Sequence, residues 1–158
     1  MANTGVLMIL FFLLNVIIHV PHLTEASCKS NGRHSPAYNP RGTHAILTLN
    51  NFGRGGDGGG ASACDGRFHP LPQRVVALST GWFSNGARCG RKIKIKARNG
   101  RSTVAEVVDE CDSVHGCDKS HKHGQTCKTN IVDASQTVWK DLGLDIDDGE
   151  VPITWTIL

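Results

Sequence analysis

The placement of the cysteines constrains this chain more than any other feature. There are six, Cys28, Cys64, Cys89, Cys111, Cys117 and Cys127, and all of them follow an apolar segment near the amino terminus. That segment, VLMILFFLLNVIIHV over residues 6–20, has the length of the hydrophobic part of a secretory signal peptide. It is shorter than the roughly 20 apolar residues that a membrane span needs. Small residues at Ala26 and Ser27 suit cleavage after Ala26. Residues 1–26 are therefore read as a signal peptide, and the mature protein as secreted, with no membrane attachment. In an oxidising compartment an even set of cysteines predicts three disulfides and no free thiol. Six cysteines allow 15 pairings, and spacing alone does not choose among them. Each bridge should add about 2–4 kcal/mol by restricting the unfolded chain.

Charge narrows the function classes. Cleavage after Ala26 removes one acid, Glu25, and no lysine or arginine, so the net charge moves from +3 to +4. Acids and bases are interleaved, which argues against a nucleic-acid surface. A cell wall or an acidic protein partner fits a mildly basic extracellular domain better.

The mature chain reads as mostly β. Residues 27–42 (SCKSNGRHSPAYNPRG) are polar and rich in turn formers, and read as an arm or linker. Strands are predicted at residues 44–49 (HAILTL), 74–80 (RVVALST), 91–97 (RKIKIKA), 101–109 (RSTVAEVVD) and 151–158 (VPITWTIL). RKIKIKA alternates charge with isoleucine, so one face is wet and the other dry. Asn99-Gly100 between the third and fourth strands is a hairpin signal. The NNFGRGGDGGG segment, residues 50–60, holds too many glycines for a regular element. Residues 110–130 read as a stapled loop with little apolar content. One helix is predicted, capped by Asp133, with Gln136 three residues on, an apolar stripe of Val138, Trp139 and Leu142, and Gly143 as its stop. Short strands of this kind bury themselves by closing into a small barrel.

Four stretches carry a family resemblance: GGDGGGASACDGRFH (55–69), VVALSTGWF (75–83), VVDECDSVHGCD (107–118) and NIVDASQTVWKDLG (130–143). They resemble the kiwellin or plant ripening-related proteins, over roughly residues 43–158. The resemblance implies a six-stranded double-psi β-barrel of the barwin and expansin kind, with one or two short helices and disulfide staples. It implies an extracellular plant protein of the apoplast. It also implies a role in defence by binding secreted microbial effectors, a secreted chorismate mutase among them. Longer members carry a cysteine-rich module before the barrel, whereas here only Cys28 precedes Cys64. Activities of that module do not carry over. The barrel region holds an odd number of cysteines, so Cys28 is needed to complete the pairing and should clip the arm to the barrel.

Several residue groups invite functional readings. The glycine segment lacks the Gly-Lys-Ser/Thr ending of a phosphate loop and contains an acid, Asp57. It is read as a surface loop, with Asp57, Gly58 and Gly59 lining a partner-binding face. Trp82 and Phe83 are weighed as core aromatics against anchors on that face, where tryptophan is enriched. Cys111, Cys117, Cys127, His115, His121 and His123 are the right types for zinc. Oxidation favours disulfides instead, so no metal and no cofactor is expected. Barwin-like endoglucanases use two acids across a sugar groove. Asp133 resembles their general acid and Asp109 is the other carboxylate weighed, but the first strand offers no catalytic base. The expectation is a monomeric, non-catalytic binding module for an extracellular protein. A carbohydrate-active or expansin-like wall protein is the alternative.

Overall fold

The computed structural model describes residues 31–56, 59–115 and 126–158. Six strands close into a barrel: β1 (Thr43–Leu49), β2 (Val75–Ser79), β3 (Lys92–Ala97), β4 (Ser102–Cys111), β5 (Ile131–Ala134) and β6 (Val151–Ile157). Their order around the barrel is β1-β5-β2-β4-β3-β6. Two neighbouring pairs are parallel, β1 with β5 and β2 with β4, and the other four contacts are antiparallel. A hairpin cannot join parallel neighbours. The connections after β1 and β4 are long because each passes over a strand, β5 lying between β1 and β2, and β2 between β4 and β5. This is the expected double-psi β-barrel, mainly β, and the described residues add two short helices, α1 (Thr80–Phe83) and α2 (Gln136–Leu142), and one 3₁₀ turn at Ile146–Asp148.

Alternation builds the interior. In β3 the isoleucines Ile93 and Ile95 are fully buried while the intervening lysines face solvent. Leu47, Val76, Leu78, Val107 and Val132 meet them inside, and Val138, Trp139 and Leu142 of α2 join the same core. Trp139, on the apolar stripe that the sequence suggests, and Trp155 of β6 are both core residues. The hairpin joining β3 to β4 forms at Asn99-Gly100, but not as a two-residue turn. Gly100 N donates to Ala97 O, Ala97 N donates to Arg101 O, and Gly100 alone takes a positive φ of +89°. That is a three-residue loop with glycine in the left-handed position.

The arm is part of the fold rather than a linker. Gly81 of α1 lies so close to it that a Cβ there would stand 2.4 Å from Arg33 O and 2.5 Å from Ser35 N. Tyr38 packs on Trp155 with ring centroids 5.2 Å apart, and its hydroxyl accepts from Ile157 N. Asn31 Nδ2 donates to Thr126 and to Cys127 O, and Ser113 Oγ donates to Gly32 O. These bonds tie the arm to both ends of the 113–126 region.

Two bridges fall within the described residues, Cys64–Cys89 and Cys111–Cys127, and no described cysteine is free. The second takes two sulfurs away from the zinc reading. Cys28 and Cys117, the cysteines left for a third bridge, lie outside the described residues, as do residues 1–26, His121 and His123. No helix among the described residues is long and apolar enough to cross a membrane.

Candidate functional site

Two of the expected roles need correction. Asp133 is not a helix cap. It sits in β5, paired with Thr48 of β1 on one side and Ala77 of β2 on the other. A residue held in two ladders cannot also start a helix two positions downstream. Ser135 occupies the cap position, and even its hydroxyl turns away from α2 to donate to Gln73 O at 2.7 Å. The stop at Gly143 does form, with φ +64° and its N–H on Lys140 O and Trp139 O. Trp82 and Phe83 are not surface anchors either, being only 2% and 6% exposed. The Trp82 indole meets Trp155 edge-on at 5.3 Å, and its N–H donates to Pro36 O at 2.7 Å. The arm supplies the cover that a polar linker could not.

Asp57 and Gly58 lie outside the described residues. Gly59 is half-buried with a φ of +86° and open space where a Cβ would point. The glycine segment is rooted at Phe52, which is 6% exposed and shares an apolar cluster with Val75, Ala77 and Val108. These three belong to β2 and β4 and lie outside the main core cluster, on the outer face of the barrel. The loop thus begins by covering the outside of the sheet.

Beneath that cover runs one cross-strand row: Thr48 of β1, Asp133 of β5, Ala77 of β2 and Asp109 of β4. Paired residues share a sheet face, so the two weighed carboxylates lie on the same outer face, two strand spacings apart. That is about 9–10 Å between backbones. A register shift between Val76 and Ala77 brings Asp109 into the row. Such bulges re-aim side chains. The Thr48 hydroxyl donates to Asp133 Oδ1 at 2.5 Å. Asp109 Oδ1 accepts from the amides of Ala63 and Glu110, both at 2.8 Å. Burial pushes the Asp109 carboxyl above its ordinary range, against the lowering pull of those two amides. Its contact with Ala63, next to the Cys64–Cys89 bridge, staples the far end of the glycine loop to β4.

Beside Asp109, His69 bonds Gln73 through Nδ1 at 2.8 Å and brings Nε2 to 3.4 Å from Asp65. Of the predicted histidine cluster, His115 bonds Asp112 at 3.0 Å. Burial raises the Asp112 carboxyl, but the amides of His115 and Val114 and the His115 ring outweigh it and hold it below the ordinary range. Among the described residues no group of three metal-ligating side chains converges. The sequence missed Thr48 and Phe52 because neither is chemically conspicuous. The only available signal was IVDA at 131–134, a short apolar run compatible with a buried strand.

The comparisons agree with this architecture. The apo form of the Clavibacter michiganensis expansin superposes with a TM-score of 0.55 and 25% identity, over 74% of this chain and 50% of the expansin. A variant of that expansin was solved with cellohexaose. The Streptomyces papain inhibitor shares the fold at a TM-score of 0.50 and 23% identity, over 79% of this chain and 99% of the inhibitor. In sequence, ripening-related protein grip22 of Vitis vinifera is 60% identical over 115 residues, 73% of this chain and 52% of grip22. Kiwellin of Actinidia chinensis is 56% identical over 115 residues, 73% of this chain and 54% of kiwellin. Putative ripening-related protein 2 of Oryza sativa is 52% identical over 141 residues, 85% of this chain and 72% of the rice protein. The chain thus spans about half the length of grip22 and of kiwellin. The family model described as Kiwellin-1 matches residues 11–157, and on that match and these identities the chain belongs to the kiwellin family.

Proposed function

We propose that this chain is a secreted, non-catalytic binding module that engages an extracellular protein, a microbial effector such as a secreted chorismate mutase. The family and the expansin-like barrel support a plant defence or ripening role. The observation that carries the non-catalytic reading is the cover over Ala77. An inverting glycosidase holds its acid and base on opposite sides of an open groove, with a sugar and a water between. Here the residue between Asp109 and Asp133 is 2% exposed and clustered with Phe52, so a sugar ring has no floor to lie on. The residue facing Asp133 from β1 is a threonine, which cannot serve as the base. The covering loop, rich in glycine and fastened at both ends, offers a partner an adaptable surface on a rigid scaffold.

The test is calorimetric titration of the mature protein with a secreted microbial chorismate mutase, alongside the Gly60→Arg variant. Gly60 has nothing within 4 Å of its would-be Cβ, so the arginine blocks the loop surface without disturbing the barrel. Micromolar or tighter binding that the variant loses supports the proposal. Absence of binding, or unchanged binding by the variant, removes this partner or this face. Reducing-end release from a soluble β-glucan by the wild type would replace the binding-module reading with a carbohydrate-active one.

A further inference from the structure

The outer face of β3 is the reverse of the covered one. Lys92, Lys94 and Lys96 are all exposed and stand in line along the strand. Alternate strand residues are about 6.8 Å apart, so the three ammonium groups are rooted along about 14 Å of flat sheet. Their cross-strand neighbours are nearly all neutral. Lys94 sits between Val104 of β4 and Thr156 of β6, and Lys96 sits between Ser102 and Thr154. The one acid in the pattern, Glu106, is opposite Lys92. Among the described residues none of the three lysines forms an ion pair. Their spacing is below the roughly 10 Å screening length at 0.1 M salt, so their fields add.

At the Lys96 end the row opens into a shallow depression lined by His44, Lys96, Arg98, Asn130, Pro152 and Thr154. It combines two cations with an imidazole and neutral groups, and no Trp, Tyr or Phe lines it. We propose that this face is a docking surface for a linear polyuronate, one carboxylated sugar seated in the depression and the rest of the polymer lying along the lysines. Charge complementarity selects an anionic polymer. A protein partner would be expected to seek aromatic or arginine-rich pockets, whereas the large exposed apolar residues beside the lysines are two aliphatics, Val104 opposite Lys94 and Leu158, whose N–H donates to Lys92 O. Single-stranded nucleic acid uses platforms of large aromatic rings, and no Trp, Tyr or Phe lines the depression. Sugar hydroxyls match Asn130 and Thr154, and carboxylates match Lys96 and Arg98. This surface lies apart from the glycine loop, so it stands or falls independently of the protein-binding reading.

The experiment measures binding of the mature protein to polygalacturonate, to the same polymer fully methyl-esterified, and to polyglutamate. The wild type should bind polygalacturonate, at least tenfold more weakly when salt rises from 50 to about 300 mM, since displaced counterions make polyanion binding salt-dependent. It should bind the esterified polymer at least tenfold more weakly. The triple variant Lys92→Gln, Lys94→Gln, Lys96→Gln should lose at least tenfold, and the triple Lys→Arg variant should retain binding. Equal binding of the esterified polymer, or equal binding by the glutamine variant, would overturn the proposal. Polyglutamate binding as tight as polygalacturonate would also overturn it, in favour of an acidic polypeptide. If the glutamine variant fails to fold, the salt and esterification series on the wild type still decide.

Discussion

β2 and β3 both hydrogen-bond to β4 in one barrel, yet their outer faces have opposite fates. Every residue of β2 is buried, whereas β3 alternates strictly between buried and exposed. On β2 the outward positions are Val75 and Ala77, and the chain returns after β1 to lay Phe52 over them. On β3 the outward positions are lysines, and no described segment covers them. A closed barrel protects its backbone everywhere, so what lies on the outside is left to side chains and loops. The covered face is where the loop is anchored, and the bare face is where charge is displayed.

The largest effect should come from uncovering β2. Phe52→Ala removes a side chain only 6% exposed. Its loss should cost about 3–5 kcal/mol, measured from denaturant midpoints. A cost below about 1 kcal/mol, the range of an ordinary surface change, would mean that the cover is incidental and the two faces are alike.

A smaller loss is expected from Thr48→Val, which removes the hydroxyl that donates to Asp133. Hydrogen bonds to charged groups are worth about 1.5–3 kcal/mol, and partial exposure of Thr48 should hold the loss near the lower end. Asp133→Ala, by contrast, should leave α2 intact by circular dichroism, since it caps nothing.

Asp109 sharpens the comparison through pH. Burial raises its carboxyl pKa, so the folded state holds this proton more tightly than the unfolded chain does. Stability should therefore fall as pH rises from the ordinary aspartate value near 3.9 through the raised one. Asp109→Asn keeps an oxygen to accept from Ala63 and Glu110 and should flatten that part of the profile. An identical slope in wild type and variant would count against the burial of this carboxylate. On the bare face, the triple Lys→Gln change should shift stability by no more than about 0.5 kcal/mol, as exposed substitutions do. A larger shift would mean that the lysines hold the fold as well as a surface.

Five of the six strands were legible because alternation or an apolar run marks them, and the alternation of KIKIKA reads correctly as half-wet. β5 was not, because four residues ending beside a good helix signal look like the approach to that helix. The same ambiguity turned Asp133 into a cap. The choice between core and anchor for Trp82 was not legible for a related reason: its cover is Pro36 and Tyr38, some 45 positions earlier in the chain, in a segment whose composition resembles a linker.

The sequence by itself determined the elements whose signal is local: the period-two strands, the Asn99-Gly100 turn, the Gly143 stop and the family. It also determined that the cysteines would pair, though not with which partners. Only the tertiary structure decided that the arm is part of the core, that Asp133, Ala77 and Asp109 share one row, and that Phe52 closes the space between them. Those relations join residues up to 119 positions apart. They depend on which strands become neighbours when the barrel closes, and on a one-residue register shift in β4. Shifting a strand's register by one residue moves its side chains to the opposite face of the sheet, and no local pattern records that choice.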